Sequence, residues 1–268
     1  MIDMGLLFAL FIMDICLLSI KKEHEIMETK NMKKMKKTQV FNVIILDRSG
    51  SMDSIRKAAV DGFNETLAGI KKAQADFADT QDHFVSLVTF CSCSTEKVFD
   101  KTPVNEAHPL KLDDYQPCCC TPLFDAMGFT LTSMRKHVKG IEDALVVVTI
   151  ITDGLENASK EYSGKAIRSL VEQLKGEGWT FTYMGANQDA VEVAISLSIR
   201  NARNFDFSEA GTRDCMSKDM STRMRLFSFV SKMKKEEGVS HACITREDRN
   251  TRYADMADAA FDAEENNG

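Results

Sequence analysis

The most strand-like segment of the sequence, residues 145–152, reads Leu-Val-Val-Val-Thr-Ile-Ile-Thr. A continuous apolar run of this length, rich in β-branched residues, is typical of a parallel strand that is covered on both faces. Shorter strand-like segments alternate with segments whose apolar residues have helical spacing. The predicted strands are 40–46, 84–90, 96–104, 145–152, 179–184 and 204–207, and the predicted helices are 55–77, 123–138, 167–174, 188–198 and 212–236. This alternation predicts an α/β fold with a doubly wound, mostly parallel sheet flanked by helices on both faces.

The composition excludes several classes of protein. The chain has 268 residues, of which 44% are hydrophobic and 28% are charged. That apolar content excludes a mostly disordered chain, and that charged content excludes a membrane protein with many spans. The formal net charge of −6 argues against a nucleic-acid partner, because binding to phosphate requires a basic surface.

Two terminal segments lack the alternating pattern, and we expect both to lie outside a folded domain at 39–237. Residues 1–20 are mostly apolar, and residues up to 38 form a lysine-rich linker, so that 1–38 precedes the fold. Three interpretations of the apolar segment stay open: a membrane anchor, an unusual signal peptide, or a stretch upstream of a later start. The expected localisation is cytoplasmic, with membrane contact only if residues 1–20 act as an anchor. Residues 238–268 are predicted to form a frayed acidic tail.

Oxygen-bearing side chains stand at the ends of predicted strands. Asp47, Ser49 and Ser51 follow the first strand, Asp153 follows the strand at 145–152, and Thr121 precedes a helix. Because ligands of doubly wound sheets bind beyond the carboxyl ends of the strands, we expect these side chains to meet at one edge. Two carboxylates and three hydroxyls are ligands suited to a hard cation, so the sequence predicts a site for Mg²⁺, with Mn²⁺ as a possible substitute.

The pattern Asp-x-Ser-x-Ser, followed by a distant Thr and then by Asp-Gly, resembles the metal-ion-dependent adhesion site (MIDAS) of von Willebrand factor A (vWA) domains. The resemblance covers about residues 40–236, and segments 62–65, 119–126 and 183–189 are similar to those of stand-alone bacterial vWA proteins. It implies a Rossmann-like vWA fold in which the Ser and Thr hydroxyls contact the metal ion. The two Asp side chains would bind it directly or through water. It also implies that an unidentified protein partner completes the coordination with an Asp or Glu side chain.

Two alternatives to a metal-dependent protein-binding module follow from the same residues. One is a vWA scaffold whose metal is purely structural. The other is a metal-dependent hydrolase or phosphatase, which we disfavour because aspartate-based phosphatases need a second carboxylate two residues after the first, where Ser49 stands. The chain also lacks the glycine-rich phosphate-binding loops and the Gly-x-Ser-x-Gly motif. We therefore predict that the chain is not an enzyme.

Two further features have no fixed role in this prediction. Of the eight cysteines, five lie in two clusters, Cys91/Cys93 and 118–120. Their spacing does not match that of typical zinc sites, so we expect loop or buried thiols in a reducing compartment. Arg48, between two predicted ligands, is either a solvent-facing loop residue or a cation that helps to recruit an acidic partner.

Overall fold

The computed structural model describes residues 36–185, 189–205, 208–240 and 244–265. The strands in these ranges are β1 Thr38–Asp47, β2 Gln81–Cys91, β3 Ser94–Pro103, β4 Ala144–Thr152, β5 Thr180–Gly185 and β6 Asn201–Asn204. The helices are α1 Arg56–Asp76, α2 Leu123–Val138, α3 Gly164–Gly176, α4 Asp189–Ser196, α5 Glu209–Ser240 and α6 Arg246–Glu265. Two short 3₁₀ helices occupy Gly50–Ile55 and Leu112–Asp114.

The six strands form one sheet in the order β3-β2-β1-β4-β5-β6. Neighbouring strands are parallel except for β2 and β3, which form an antiparallel hairpin at one edge. This confirms the predicted doubly wound α/β sheet. The strand order changes direction at β1, which lies between β2 and β4, so the loops that follow β1 and β4 diverge and leave a crevice at the carboxyl ends of these strands.

Helices cover both faces of the sheet, which explains the nearly continuous apolar sequences of the central strands. In β1, Val43 and Ile45 belong to the core under α2, α3 and α4. Their neighbours Ile44 and Leu46 point to the opposite face and pack with residues of α1 and α5. Since successive side chains of a strand alternate between faces, all four positions must be apolar.

The predicted acidic tail at 238–268 is wrong over most of its length, because α6 forms there and packs on the domain. Tyr253, Ala257, Ala260 and Phe261 are buried, and three of them join a core cluster with Phe227 of α5. The tail prediction rested on the acidic composition of this segment, which hid the helical spacing of these few apolar residues. The last three residues, 266–268, lie outside the described residues.

Other boundaries differ by a few residues from the prediction. The edge strand β6 covers Asn201–Asn204, not 204–207, because these polar residues pair with β5 and Phe205 follows them into the core. The first strand begins at Thr38, inside the predicted linker, and the Thr38 side chain is buried.

The predicted segment 1–20, the linker up to residue 35 and part of the motif at 183–189 lie outside the described residues. Among the described helices, none combines the length and apolar character needed to cross a bilayer.

Gly128 of α2 lies against the ring of Tyr162, and a Cβ atom there would overlap the ring carbons. Helix propensity alone would favour Gly128→Ala by about 1 kcal/mol. We nevertheless expect this variant to lower the free energy of unfolding by about 1–3 kcal/mol, because the Tyr162 ring would have to leave its packed position to make room for the added methyl group. Urea denaturation would measure this change. The matched control is Gly176→Ala in α3, where no atom lies within 4 Å of the added Cβ and no loss of stability is expected.

His83 of β2 is buried, and its ring packs edge-on against Phe227 at 4.7 Å between centroids. Burial and the nearby Arg223 charge lower the pKa of His83 from 6.5 to about 3. Between these two pH values the unfolded chain therefore binds one proton that the folded chain does not. We expect this residue to make the free energy of unfolding fall as the pH decreases from about 6.5 towards 3, by up to about 1.4 kcal/mol per pH unit.

Urea denaturation of wild type and His83→Gln between pH 7 and pH 4 would test this expectation. The difference in stability between the two proteins should change with pH over that range. His108→Gln, which alters an exposed histidine, should keep the pH dependence of the wild type. An unchanged pH dependence in His83→Gln would contradict the prediction.

Candidate metal centre

The structure brings the five predicted ligands to the carboxyl edge of the sheet. Asp47 is the last residue of β1 and Asp153 directly follows the adjacent strand β4. Ser49 and Ser51 lie where the chain leaves β1 and enters the first 3₁₀ helix, and Thr121 lies just before α2. Two parallel neighbouring strands end at the same edge, which is why the two carboxylates are close although they are distant in sequence.

Short contacts join the side chains at the ends of β1 and β4. The Ser51 hydroxyl donates a hydrogen bond to Asp153 Oδ1 at 2.7 Å, and its oxygen lies 3.2 Å from the Ser49 Oγ. Asp47 Oδ1 accepts a hydrogen bond from the Ser49 N–H at 2.7 Å. Asp47 Oδ2 accepts one from the Thr152 hydroxyl at 2.6 Å. Both carboxylates are thus held in place by neighbouring donors.

Gly154 marks the point on which these oxygens converge. A Cβ atom on Gly154 would lie 3.1 Å from Thr121 Oγ1, 3.5 Å from Ser51 Oγ and 3.8 Å from Asp47 Oδ2. Oxygens of two loops therefore surround one small volume next to the third loop, and any side chain at position 154 would fill it. The donor set consists of carboxylate and hydroxyl oxygens, which are the ligands that Mg²⁺ and Mn²⁺ accept. The residues present therefore fit a hard divalent cation.

The site is buried on one side and open on the other. Asp47, Ser49, Thr121 and Asp153 are all buried, whereas Ser51 is exposed. Burial raises the pKa of Asp47 to about 6, although hydrogen bonds from Thr152 and Ser49 act in the opposite direction. Burial also raises the pKa of Asp153, with an opposing hydrogen bond from Ser51. Burying two carboxylates costs free energy, and a cation between them would offset that cost.

Two residues that support the site, Tyr115 and Thr152, were not predicted from the sequence, whereas Gly154 belongs to the Asp-Gly pair of the predicted pattern. The Tyr115 hydroxyl donates to the backbone carbonyl of Asp47, and Thr152 holds the Asp47 carboxylate. Gly154 provides the space described above. The strand-end position of Thr152, next to Asp153-Gly154, was a signal that could have identified it. Tyr115 follows a loop that carried no recognisable pattern.

Glu156 and Asn157 hold the loop in front of α2. The Asn157 amide oxygen accepts from the Thr121 N–H at 2.9 Å, and the Asn157 N–H donates to the Thr121 carbonyl at 3.1 Å. Glu156 accepts from the N–H of Phe124 at 2.9 Å in the first turn of α2. Both residues therefore fix the position of Thr121 by binding backbone groups.

The structure agrees with neither interpretation of Arg48. Its side chain is only 11% exposed and lies along the β2–β3 hairpin, away from solvent. The guanidinium donates to Ser94 Oγ at 2.6 Å and to Glu96 Oε1 at 2.8 Å. Because Glu96 already pairs with it, Arg48 is poorly placed to attract an acidic partner.

Comparisons with known proteins show likeness in structure but not in sequence. No protein-family model matches the chain, and no curated protein matches its sequence. The pilus adhesin SpaC of Lactobacillus rhamnosus GG, in its open conformation, superposes with a TM-score of 0.50 at 12% identity, over 71% of this chain. The chain spans only 30% of the length of that adhesin.

Two further solved structures have the same kind of likeness. The manganese-loaded TRAP protein of Plasmodium vivax is 16% identical over 68% of this chain and 73% of its own, with a TM-score of 0.46. The SpRpn10 VWA domain is 12% identical over 67% of this chain and 94% of its own, also with a TM-score of 0.46. At such identities the comparison concerns the fold alone. The sheet order, the helices on both faces and the likeness to the pilus adhesin show the fold alone, a doubly wound α/β sheet of the kind that the resemblance to von Willebrand factor A domains implies.

Proposed function

We propose that this chain is a divalent-metal-dependent protein-binding module. In this proposal Asp47, Ser49, Ser51, Thr121 and Asp153 hold one Mg²⁺ ion, for which Mn²⁺ can substitute. The observation that carries the proposal is the small volume beside Gly154, on which oxygens of two other loops converge. A partner protein would then bind through an exposed Asp or Glu side chain.

The hydrogen bonds of Asp47 support a site that still attracts a carboxylate. Both oxygens of Asp47 already accept a hydrogen bond, one from Ser49 and one from Thr152. Its charge is therefore shared with these donors, and the hydroxyl ligands carry no charge. A cation held in this way keeps part of its positive charge for an outside ligand. The exposed position of Ser51 leaves an approach from solvent.

Binding accounts for this site better than catalysis does. A metal-dependent hydrolase needs a group that activates water or a nucleophile next to the ion. The carboxylates of the site are held by the chain's own donors, and the position two residues after Asp47 is a serine. The scaffold alternative, with a purely structural metal, remains the second candidate. It differs in one measurable respect, which is whether removal of the metal unfolds the domain.

The experiment is affinity capture with tagged protein in Mg²⁺ and in EDTA, combined with thermal melting under the same conditions. We expect specific proteins to elute on chelation while the domain stays folded. Asp153→Asn should capture none of them, and Asp53→Asn, which alters an exposed carboxylate of the neighbouring 3₁₀ helix, should capture them as the wild type does. Retention of the same proteins in EDTA would overturn the proposal. Melting on chelation would favour the scaffold.

A further inference from the structure

Four cysteine thiols from two loops gather next to the candidate metal centre. Cys91 is the last residue of β2 and Cys93 lies in the turn to β3, whereas Cys118 and Cys119 lie in the loop before α2. The sulfur atoms of Cys91, Cys93 and Cys118 all lie within 4.8 Å of one another. The Cys91 and Cys118 sulfurs are 3.3 Å apart, and Cys119 Sγ is 2.9 Å from Cys93 Sγ. The fold thus brings together two cysteine clusters that are separated by more than twenty residues in sequence.

We propose that Cys91, Cys93, Cys118 and Cys119 bind one zinc ion as thiolates. Zinc in structural sites is tetrahedral with Zn–S bonds of about 2.3 Å, which places the sulfurs about 3.8 Å from one another. The Cys91–Cys118 and Cys93–Cys119 separations are shorter than that value, and all distances among Cys91, Cys93 and Cys118 are within 4.8 Å, so the paired sulfurs would move apart slightly to take up the ion. The prediction against zinc considered only the spacing of the cysteines along the sequence. In the fold, the cysteines of the β2–β3 hairpin contact those of the loop before α2.

The hairpin provides donors for a thiolate at Cys91. Burial acts to raise the pKa of the Cys91 thiol, but the Cys118 thiol and the nearby backbone N–H groups of Cys93 and Ser94, two and three residues further on, lower it overall. Hydrogen bonds to sulfur stabilise its negative charge and orient it toward a metal. The turn therefore connects β2 and β3 tightly, and it also places backbone N–H groups where a metal-bound cysteine would need them.

Arg48 offsets the negative charge that such a site would carry. Four thiolates and one Zn²⁺ ion have a net charge of −2, and the Arg48 guanidinium lies close enough to act on the Cys91 sulfur. The Arg48 Nε is buried and has no hydrogen-bond partner among the described residues. A buried, unpartnered N–H is costly, and charged acceptors nearby would reduce that cost. Besides its bonds to Ser94 and Glu96, Arg48 thus has one buried N–H left in the neighbourhood of the thiol cluster.

This site is chemically distinct from the oxygen site next to it. Thiolates favour zinc and other soft cations, whereas carboxylates and hydroxyls favour Mg²⁺. The two sites are joined by the backbone, because the Cys118 N–H donates to the Arg48 carbonyl at 2.9 Å and the Gly50 N–H donates to the Cys119 carbonyl at 3.0 Å. Cys119 has a φ of 60°, in the left-handed region that residues other than glycine rarely adopt. A bond from its sulfur to a metal would help to hold that conformation.

Cobalt is a suitable probe, because Co²⁺ in a tetrahedral thiolate site has sulfur-to-metal charge-transfer absorbance that an oxygen site lacks. The full chain is purified under reducing conditions, stripped of metal and titrated with Co²⁺ in saturating Mg²⁺. We expect one thiolate-bound Co²⁺ per chain, displaced by one equivalent of Zn²⁺. Cys118→Ser, which leaves three of the four thiols, should bind Co²⁺ more weakly and with lower charge-transfer absorbance per bound ion.

Two cysteines outside the cluster serve as matched controls. Cys120→Ser alters the exposed neighbour of Cys119, and Cys215→Ser alters a buried thiol of α5. Both variants should bind Co²⁺ as the wild type does. Asp153→Asn should also keep the thiolate signal, so that failure of the oxygen site and failure of the sulfur site can be distinguished.

Two results would overturn the proposal. One is Co²⁺ absorbance in Cys118→Ser equal to that of the wild type. The other is a pair of disulfides, Cys91–Cys118 and Cys93–Cys119, in protein purified without reductant or chelator. Mass spectrometry would detect these as the loss of two hydrogens per bond without bound zinc.

Discussion

Asp47→Asn should weaken Mn²⁺ and Mg²⁺ binding by about 100-fold or more, because even residues that only orient metal ligands contribute 10–100-fold to affinity. The substitution keeps the shape of the side chain and one oxygen that can accept from Ser49 or Thr152. It removes one of the two negative charges that face the small volume beside Gly154. Since burial raises the pKa of Asp47, loss of this charge should leave the domain folded. Isothermal titration with MnCl₂ measures the affinity, and circular dichroism checks the fold.

Asp53→Asn is the matched control for this measurement. It removes the same charge from an exposed side chain in the 3₁₀ helix that follows the site, and it should bind Mn²⁺ as the wild type does. Equal affinities for Asp47→Asn and wild type would show that the ion, if it binds at all, binds elsewhere. A similar loss in both variants would show that general negative charge, and not the specific ligand set, attracts the ion.

Asp143→Ala should lower the free energy of unfolding by about 3–5 kcal/mol, the range found when one partner of a buried ion pair is removed. The Asp143 carboxylate lies at the end of the sheet opposite to the candidate metal centre, and its side chain is only 3% exposed. It accepts hydrogen bonds from Thr38 of β1, Lys234 of α5 and Tyr253 of α6. Its removal would leave the buried Lys234 ammonium without its principal partner. Urea denaturation would measure the loss.

Glu142→Gln is the control for the effect of Asp143. Glu142 is the adjacent residue, and its ion pair with Lys36 is exposed on both sides. We expect a change of less than about 0.5 kcal/mol, as is usual for exposed pairs. A loss of similar size in both variants would show that the buried pair with Lys234 is not the cause. A stable Asp143→Ala protein would show that α5 and α6 are held mainly by their apolar contacts.

The sequence was most informative about the centre of the sheet. Residues 145–152 could be predicted as a strand because a strand covered on both faces is almost continuously apolar and rich in β-branched residues. Asp47 and Asp153 could be selected because each follows such a strand. Helix α6 could not be predicted, because four apolar side chains among many charges bury enough surface only when α5 is beside them.

Contacts between distant segments account for the other differences. The cysteines meet only because a hairpin turn and the loop before α2 cross at the carboxyl edge of the sheet. Tyr115 supports Asp47 through a backbone carbonyl, and such contacts require no particular sequence pattern. The sequence left two interpretations of Arg48 open, a solvent-facing loop residue or a cation that recruits an acidic partner, and its ion pair with Glu96 could not be predicted because it depends on the register of β3.

The two edges of the sheet limit how another protein can attach. The outer strand β3 presents exposed charged residues, including Glu96, Lys97 and Asp100, and its pairing with β2 is interrupted by register shifts. At the other edge β6 is only four residues long. Charges, irregular pairing and short length all discourage the addition of a foreign strand, and thereby protect a sheet against aggregation through its edges. A partner that extended this sheet would find little backbone to pair with, which directs recognition to the loops at the ends of the strands.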